Sequence, residues 1–316
     1  MIYTWQQAAW DQLVTTRNKQ HLPHALLLSG ASGMGKSVFA KALVDSLLCE
    51  QPLGNYQACR KCKSCKVHHA GAHPDYREVI LTADKTQIVV DQIRNLNDFL
   101  HTSRSYQAYR VVFINPAEAL NINAANSLLK SLEEPANGSV IVLLTSQLSS
   151  LLPTIKSRCQ QLQLPLPSKK AALAWLTQQQ TKHKPEDLLE MAGGRPLTAL
   201  ELDEAKHYES REEFSRDISA TLLQQKTIIE VSKKWQNTSK QELLDWQIYW
   251  VQQLIKQSFS KHQKRHLLNT IKSYDINKLW LLHDELIKFR EIAHTSLNNQ
   301  LFVENMLLSW LKLENN

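Results

Sequence analysis

HALLLSGASGMGKSVFAKALVDSLL, residues 24–48, decides how the rest of this sequence is read. Ala25 to Leu28 form an uninterrupted apolar run closed by Gly30, the pattern of a short buried strand. From Lys36 onward, Val38, Phe39, Ala42, Leu43 and Leu47 fall at helical spacing. Between strand and helix, Gly30, Gly35, Lys36 and Ser37 fit G-x-x-x-x-G-K-[ST], with Gly33 a third glycine inside. Such a loop turns backbone N–H groups toward phosphate oxygens. Its lysine reaches the β and γ phosphates, and its hydroxyl can ligate Mg²⁺. The helix adds its positive N-terminus. A strand before and a helix after are what make this a phosphate loop rather than a chance run of glycines. The alternative is a vestigial loop that binds no nucleotide.

Outward from this loop the alternation continues. YREVIL (76–81), RVVFIN (110–115) and SVIVLLTS (139–146) read as strands. IVVDQIRNLNDFLHT (88–102) and INAANSLLKSLEE (122–134) read as helices, the second stopped by Pro135. Strands alternating with helices predict an α/β domain with a parallel sheet covered on both faces. PLPSKK (165–170) has the composition of a hinge. A short helical region follows and ends at AGGRP (192–196). From about residue 206 the pattern is helix only. Trp246 and Trp250 lie four apart there, on one helix face, and read as buried packing anchors. The expected domains are 1–165, 166–205 and 206–316.

A chain of 316 residues suggests two or three domains. Its 43% hydrophobic and 21% charged residues are those of a soluble globular protein. No apolar run is long enough to span a membrane. The start, MIYTWQQAAWDQLV, has no basic region followed by an apolar one, which implies no signal peptide and a cytoplasmic location. A net charge of +7 mildly favours contact with nucleic acid.

Four of the five cysteines cluster as Cys49, Cys59, Cys62 and Cys65. In a reducing compartment such a cluster reads as metal binding. Four thiolates suit a closed tetrahedral Zn²⁺ site. The ferredoxin pattern of an iron–sulfur cluster also needs a downstream cysteine and proline, and this sequence lacks them. Lys61, Lys63 and Lys66 offset the thiolate charge. His68, His69 and His73 lie near enough for one to replace a cysteine. Reduced, unligated thiols are the bland alternative. Cys159 stands alone and reads as a core residue.

Where a hydrolysing site of this class places an aspartate and a glutamate after its strand, this chain has Asn115 and Pro116. Hydrolysis needs a carboxylate for Mg²⁺ and a positioned water. The chain is therefore expected to be a poor ATPase, with Mg²⁺ only weakly held. Glu118 is nearby, but the intervening Pro116-Ala117 is expected to direct it elsewhere. Thr145 ends a strand where a polar side chain can sense a γ-phosphate. Arg158, in Ser157-Arg158-Cys159, can serve its own site or a neighbour's. The commoner fate of a lone arginine is a surface salt bridge.

GASGMGKS, the cysteine quartet, HPDY (73–76), NAANSLLKSLEEP (123–135) and IKSRCQ (155–160) together resemble the clamp-loader subunits of bacterial DNA polymerase III. The resemblance is strong to about residue 200, and beyond that it rests on length and helical character. It implies an AAA+ module, meaning an α/β domain plus a small helical lid, followed by a helical collar that oligomerises. It implies a structural zinc on Cys49, Cys59, Cys62 and Cys65. The loop at 30–37 would hold ATP or ADP. Arg158 would be an arginine finger given to an adjacent ATPase subunit. The implied partners are gamma/tau-like ATPase and delta-like subunits in a ring, the sliding clamp, and primer–template DNA reached through the complex. The ATPase members carry Asp-Glu at the place of Asn115-Pro116, and a sensing arginine near the place of Leu197, two residues after Arg195. Both departures match a loader member that does not hydrolyse, so the implied role is within the DNA-directed DNA polymerase (nucleotidyltransferase) assembly rather than independent catalysis.

Two other readings compete. One is a self-sufficient ATPase in which Glu118 or another acid serves Mg²⁺. The other is a zinc-dependent DNA-binding module whose lysines near Cys59 to Cys65 touch phosphates. KQSFSKHQKRHLLNTIKSYDINK (256–278) is also basic, and a solvated helical face is its simpler reading.

Overall fold

The computed structural model describes residues 2–81, 85–106, 109–204, 207–259, 275–293 and 297–312. Most of the basic stretch, 260–274, lies outside the described residues. Five strands form one sheet: β1 (Ala25–Ser29), β2 (Tyr76–Ile80), β3 (Arg110–Asn115), β4 (Ser139–Thr145) and β5 (Gln160–Gln163). Their order is β2-β3-β4-β1-β5, and every pair is parallel. The central strands are buried on both faces and so read as continuous apolar runs. The edge strand β5 has one buried residue, Leu162, among glutamines. The sequence reading had no strand there because one apolar side chain gives no pattern.

Helices α1 (Gln7–Asn18), α2 (Lys36–Leu48), α3 (Lys63–His69), α4 (Val90–His101), α5 (Ile122–Glu133) and α6 (Pro153–Arg158) surround the sheet. Side chains alternate between its faces, as strand geometry requires. Leu27, Val112, Ile114, Ile141 and Leu143 pack with Ile93, Leu96, Leu128 and Leu132 of α4 and α5. Leu26, Leu28, Val111, Phe113, Val140 and Val142 pack with Trp10, Leu13, Phe39, Leu43 and Leu47 of α1 and α2. Cys159 is buried in the first of these layers, as expected.

Three further helices, α7 (Lys169–Gln178), α8 (Pro185–Met191) and α9 (Pro196–Glu204), follow. The chain divides into two compact units, Met1–Glu201 and Leu202–Asn316. The second consists of α10 (His207–Leu222), α11 (Ile228–Trp235), α12 (Lys240–Ser258), α13 (Ile276–Ile292) and α14 (Asn299–Leu311). Trp246 and Trp250 are core anchors there, with Phe214 against both rings at centroid distances of 6.0 and 5.9 Å. The Trp310 indole donates to Gln247 Oε1 at 2.7 Å, so the polar end of a buried ring is satisfied.

Candidate nucleotide site, metal centre and arginine

Parallel strands with this order bring the loops after β1, β3 and β4 to one edge of the sheet. Gly33 and Gly35 have φ of 76° and 78°, a left-handed backbone that glycine adopts without strain. A Cβ at either position would collide, with Thr198 Oγ1 at Gly33 and with the Tyr3 ring at Gly35. The loop's carbonyls are engaged. Ala31 O accepts from Lys36 Nζ at 2.8 Å, and Gly33 O from the Leu197 N–H at 3.2 Å. Met34 O accepts from Trp5 Nε1 (3.2 Å) and Gln6 Nε2 (3.0 Å), and Gly35 O from Gln6 Nε2 (3.0 Å). The N–H and C=O of a trans peptide point in opposite directions. Holding the carbonyls of Gly33, Met34 and Gly35 outside aims the amides of Met34, Gly35 and Lys36 the other way, as a phosphate cradle requires.

The sequence reading missed the residues that do this holding. Tyr3 and Trp5 stack at 4.6 Å, and Trp175 of α7 meets them edge-on at 5.6 and 5.8 Å. Gln6 is buried with both its loop contacts. The available signal was the aromatic YTW at 3–5, upstream of the loop. Leu197 contributes its backbone N–H to the loop. Arg195 instead donates to Ala192 O at 2.6 Å. Ser37 is exposed in the first turn of α2. Thr145 is paired in register with Ser29, buried, and accepts from the Gln147 N–H at 3.0 Å. Burial lowers the Lys36 pKa, and the Glu118 carboxylate offsets only part of this.

The geometry corrects the expectation for Glu118. The turn Ala117–Ala119 folds the chain back after β3, and Glu118 Oε1 accepts from the Ser146 N–H at 3.0 Å, just past the end of β4. Pro116-Ala117 therefore brings Glu118 to the strand ends beside the loop rather than away from it.

Cys49, Cys59, Cys62 and Cys65 place their sulfurs within 4.8 Å of one another, a set that can hold one metal ion. Backbone N–H groups point at the sulfurs: Cys59 N to Cys49 Sγ (3.3 Å), Lys61 and Cys62 N to Cys59 Sγ (3.4 and 3.3 Å), and Cys65 N to Cys62 Sγ (3.4 Å). The two donors from Lys61 and Cys62 lower the Cys59 pKa to about 6. Burial raises those of Cys49 and Cys65. His69 is exposed, and the other two histidines are otherwise engaged. His68 Nε2 meets Asp45 at 3.2 Å. His73 Nδ1 accepts from the Asp75 N–H (3.1 Å), and its Nε2 pairs with Ser64 Oγ (2.8 Å). Because Ser64 Oγ donates to Leu48 O, Nε2 is the protonated ring nitrogen. Asp75 accepts from the Ser105 and Tyr106 amides and from Arg110, so HPDY ties the cysteine module to β3.

Arg158 is the last residue of α6, with its side chain 36% exposed. Its Nε and one terminal nitrogen meet Glu133 Oε1 at 2.6 and 2.5 Å, and the other terminal nitrogen donates to Thr154 O at 3.2 Å.

A family model described as "DNA polymerase III, delta subunit" matches residues 5–168. The DNA polymerase III subunit delta' of Pseudomonas aeruginosa is 36% identical over 99% of this chain and 98% of its own length. The chain belongs to the delta' family of DNA polymerase III. Two further delta' subunits are similar along most of their length. That of Escherichia coli is 27% identical, covering 97% of this chain and 94% of the relative. That of Bacillus subtilis is 28% identical, covering 94% and 93%. A solved structure of a DNA polymerase III gamma subunit-related protein from Thermotoga maritima has a TM-score of 0.54 at 20% identity. It covers 96% of this chain and 100% of that chain. This delta' chain has the AAA+ fold, with a cysteine cluster fit for a metal and a C-terminal helical domain. No described helix is long and apolar enough to cross a membrane.

Proposed function

We propose that this chain is a non-hydrolysing subunit of a clamp loader and gives Arg158 to the ATP of an adjacent ATPase subunit. The observation that carries this reading is Arg158 itself. It is half-exposed at the end of a helix and held by a carboxylate more exposed than itself, while its own chain offers Asn115 and Pro116 where hydrolysis needs acids. A guanidinium brought to a transferring phosphoryl group stabilises its charge. In this reading, 1–165 is the α/β module, 166–205 the lid, and 206–316 the collar that joins a ring with gamma/tau-like and delta-like chains. The ring opens a sliding clamp and places it on primed DNA in the cytoplasm, as part of the polymerase holoenzyme. The cysteines hold a structural Zn²⁺, and Gly30, Gly33, Gly35, Lys36, Ser37 and Thr145 surround ATP or ADP. The surface-facing Lys61, Lys63 and Lys66 are the solvated surroundings of that zinc site.

The test is Arg158→Ala in the reconstituted complex. Its DNA-stimulated ATPase is expected to fall about tenfold or more, with assembly by gel filtration unchanged. Arg158→Lys is expected not to restore the rate, because a point charge does not replace the planar fork. Unchanged turnover in either complex would sink the reading.

A further inference from the structure

The carboxyl ends of β3, β4 and β1 lie side by side, since β4 pairs with both neighbours. Glu118 follows the first of these strands, Ser146 the second, and Lys36 the third. One Glu118 oxygen, Oε1, is used by the Ser146 N–H at 3.0 Å. The other, Oε2, is shielded from solvent and has no hydrogen-bond donor among the described residues. Capping an amide needs one neutral oxygen, and a glutamine would supply it. The charge and the second oxygen are left without a structural use.

Lys36, in the loop after β1, feels the field of this carboxylate. Its Nζ donates to Ala31 O at 2.8 Å, and neither Glu118 oxygen accepts from it: Oε1 is taken by the Ser146 N–H and Oε2 has no donor among the described residues. A polyphosphate arriving at Lys36 and the loop amides would bring several negative charges toward a shielded carboxylate. Like charges brought together oppose binding unless a cation comes between them. Mg²⁺ suits that place, because it is commonly held by one or two carboxylates together with substrate phosphates and retained waters. Asn115 and Pro116 supply no carboxylate, and Glu118 does.

We propose that Glu118 is the cation-holding carboxylate of this loop, so that nucleotide binds as its Mg²⁺ complex and Glu118 imposes that requirement. Binding without hydrolysis is consistent with this arrangement: Glu118 is tethered at Ser146, and Pro116 offers no base to activate water. The inference rests on the loop being a nucleotide site and does not depend on Arg158 acting on a neighbour.

The test is equilibrium binding of a fluorescent ADP analogue to the whole chain, in Mg²⁺ and in EDTA. The native chain is expected to bind about tenfold or more tightly in Mg²⁺. Glu118→Gln keeps an acceptor for the Ser146 N–H and removes the charge. It is expected to bring the two affinities within about twofold, chiefly by tighter binding in EDTA. Lys36→Ala should abolish binding in both conditions, which assigns the signal to this loop. If Glu118→Gln folds poorly by circular dichroism, Mn²⁺ electron paramagnetic resonance on the native chain decides. Retention of Mn²⁺ only when ADP is present, and its loss in Lys36→Ala, supports the proposal. A native chain that binds no analogue, binds equally with and without Mg²⁺, or retains Mn²⁺ without ADP overturns it. So does a Glu118→Gln chain that keeps the native gap. Each failure leaves the Arg158 reading standing, because that is measured on a neighbour's ATP.

Discussion

Arg158 and Asp217 show how burial decides what a charge pair does. Arg158 and Glu133 are 36% and 49% exposed, and an exposed pair contributes about 0–1 kcal/mol. Glu133 therefore orients the guanidinium while holding it only weakly, as the proposed action on a neighbour's phosphate requires. Asp217 is nearly buried and accepts from Lys226 Nζ and Lys234 Nζ at 2.6 Å each, and from the Trp235 indole at 2.9 Å. Burial alone raises its pKa, and the three donors more than offset this, so the net direction is down. A carboxylate with a depressed folded pKa contributes stability that is full above the unfolded value of about 3.9 and is lost as pH falls through the folded value. Asp217→Asn is expected to lower stability at neutral pH by about 1–3 kcal/mol. As pH falls from 7 to 3, the difference from the native chain should stay level above about pH 5 and shrink below about pH 4, through the folded value. Urea unfolding followed by tryptophan emission measures this, since Trp235 contacts Asp217 directly. A difference that stays constant over that range would show that the carboxylate charge is not what stabilises the site.

At the scale of elements, the cysteine module is fastened twice. One fastening is the four-cysteine cluster, which can hold a metal ion, and the other is the chain Ser64–His73–Asp75–Arg110. Arg110 and Asp75 are 3% and 1% exposed, and Arg110 also donates to the carbonyls of Phe99, Leu100, Thr102 and Ser103. A buried pair this well supplied with partners is costly to break. Metal removal should therefore loosen the module and leave the sheet standing. Cys62→Ser is expected to lose about one zinc per chain, since a closed site needs all four ligands. Zinc release is read with a chromogenic chelator. Limited proteolysis between Glu50 and His73 should quicken while the far-ultraviolet circular dichroism changes little. Global loss of secondary structure would mean that the metal, and not the Asp75–Arg110 latch, holds this face of the sheet.

For the whole molecule, what the sequence displayed was whatever repeats along the chain. Four strands, the parallel sheet, the loop and the cysteine quartet each have a local period or spacing. What it concealed depends on chain reversal. The Ala117–Ala119 turn that returns Glu118 to the loop and the aromatic packing of Tyr3 and Trp5 on Trp175 bring together residues with no shared pattern. β5 is hidden because an edge strand buries little. The same distinction bears on activity. The loop is complete, its amides are aimed and Glu118 stands nearby, yet no acid follows β3 where a base must sit. Isolated chain is expected to show no ATP turnover above the rate of Lys36→Ala, even at concentrations where the fluorescent ADP analogue is bound. Mixed with gamma/tau-like and delta-like subunits, it should enter a ring whose turnover exceeds that of the same subunits without it. Both are read with one phosphate-release assay. Turnover by the isolated chain that Lys36→Ala abolishes would make Glu118 part of a working ATPase and return the chain to the self-sufficient class.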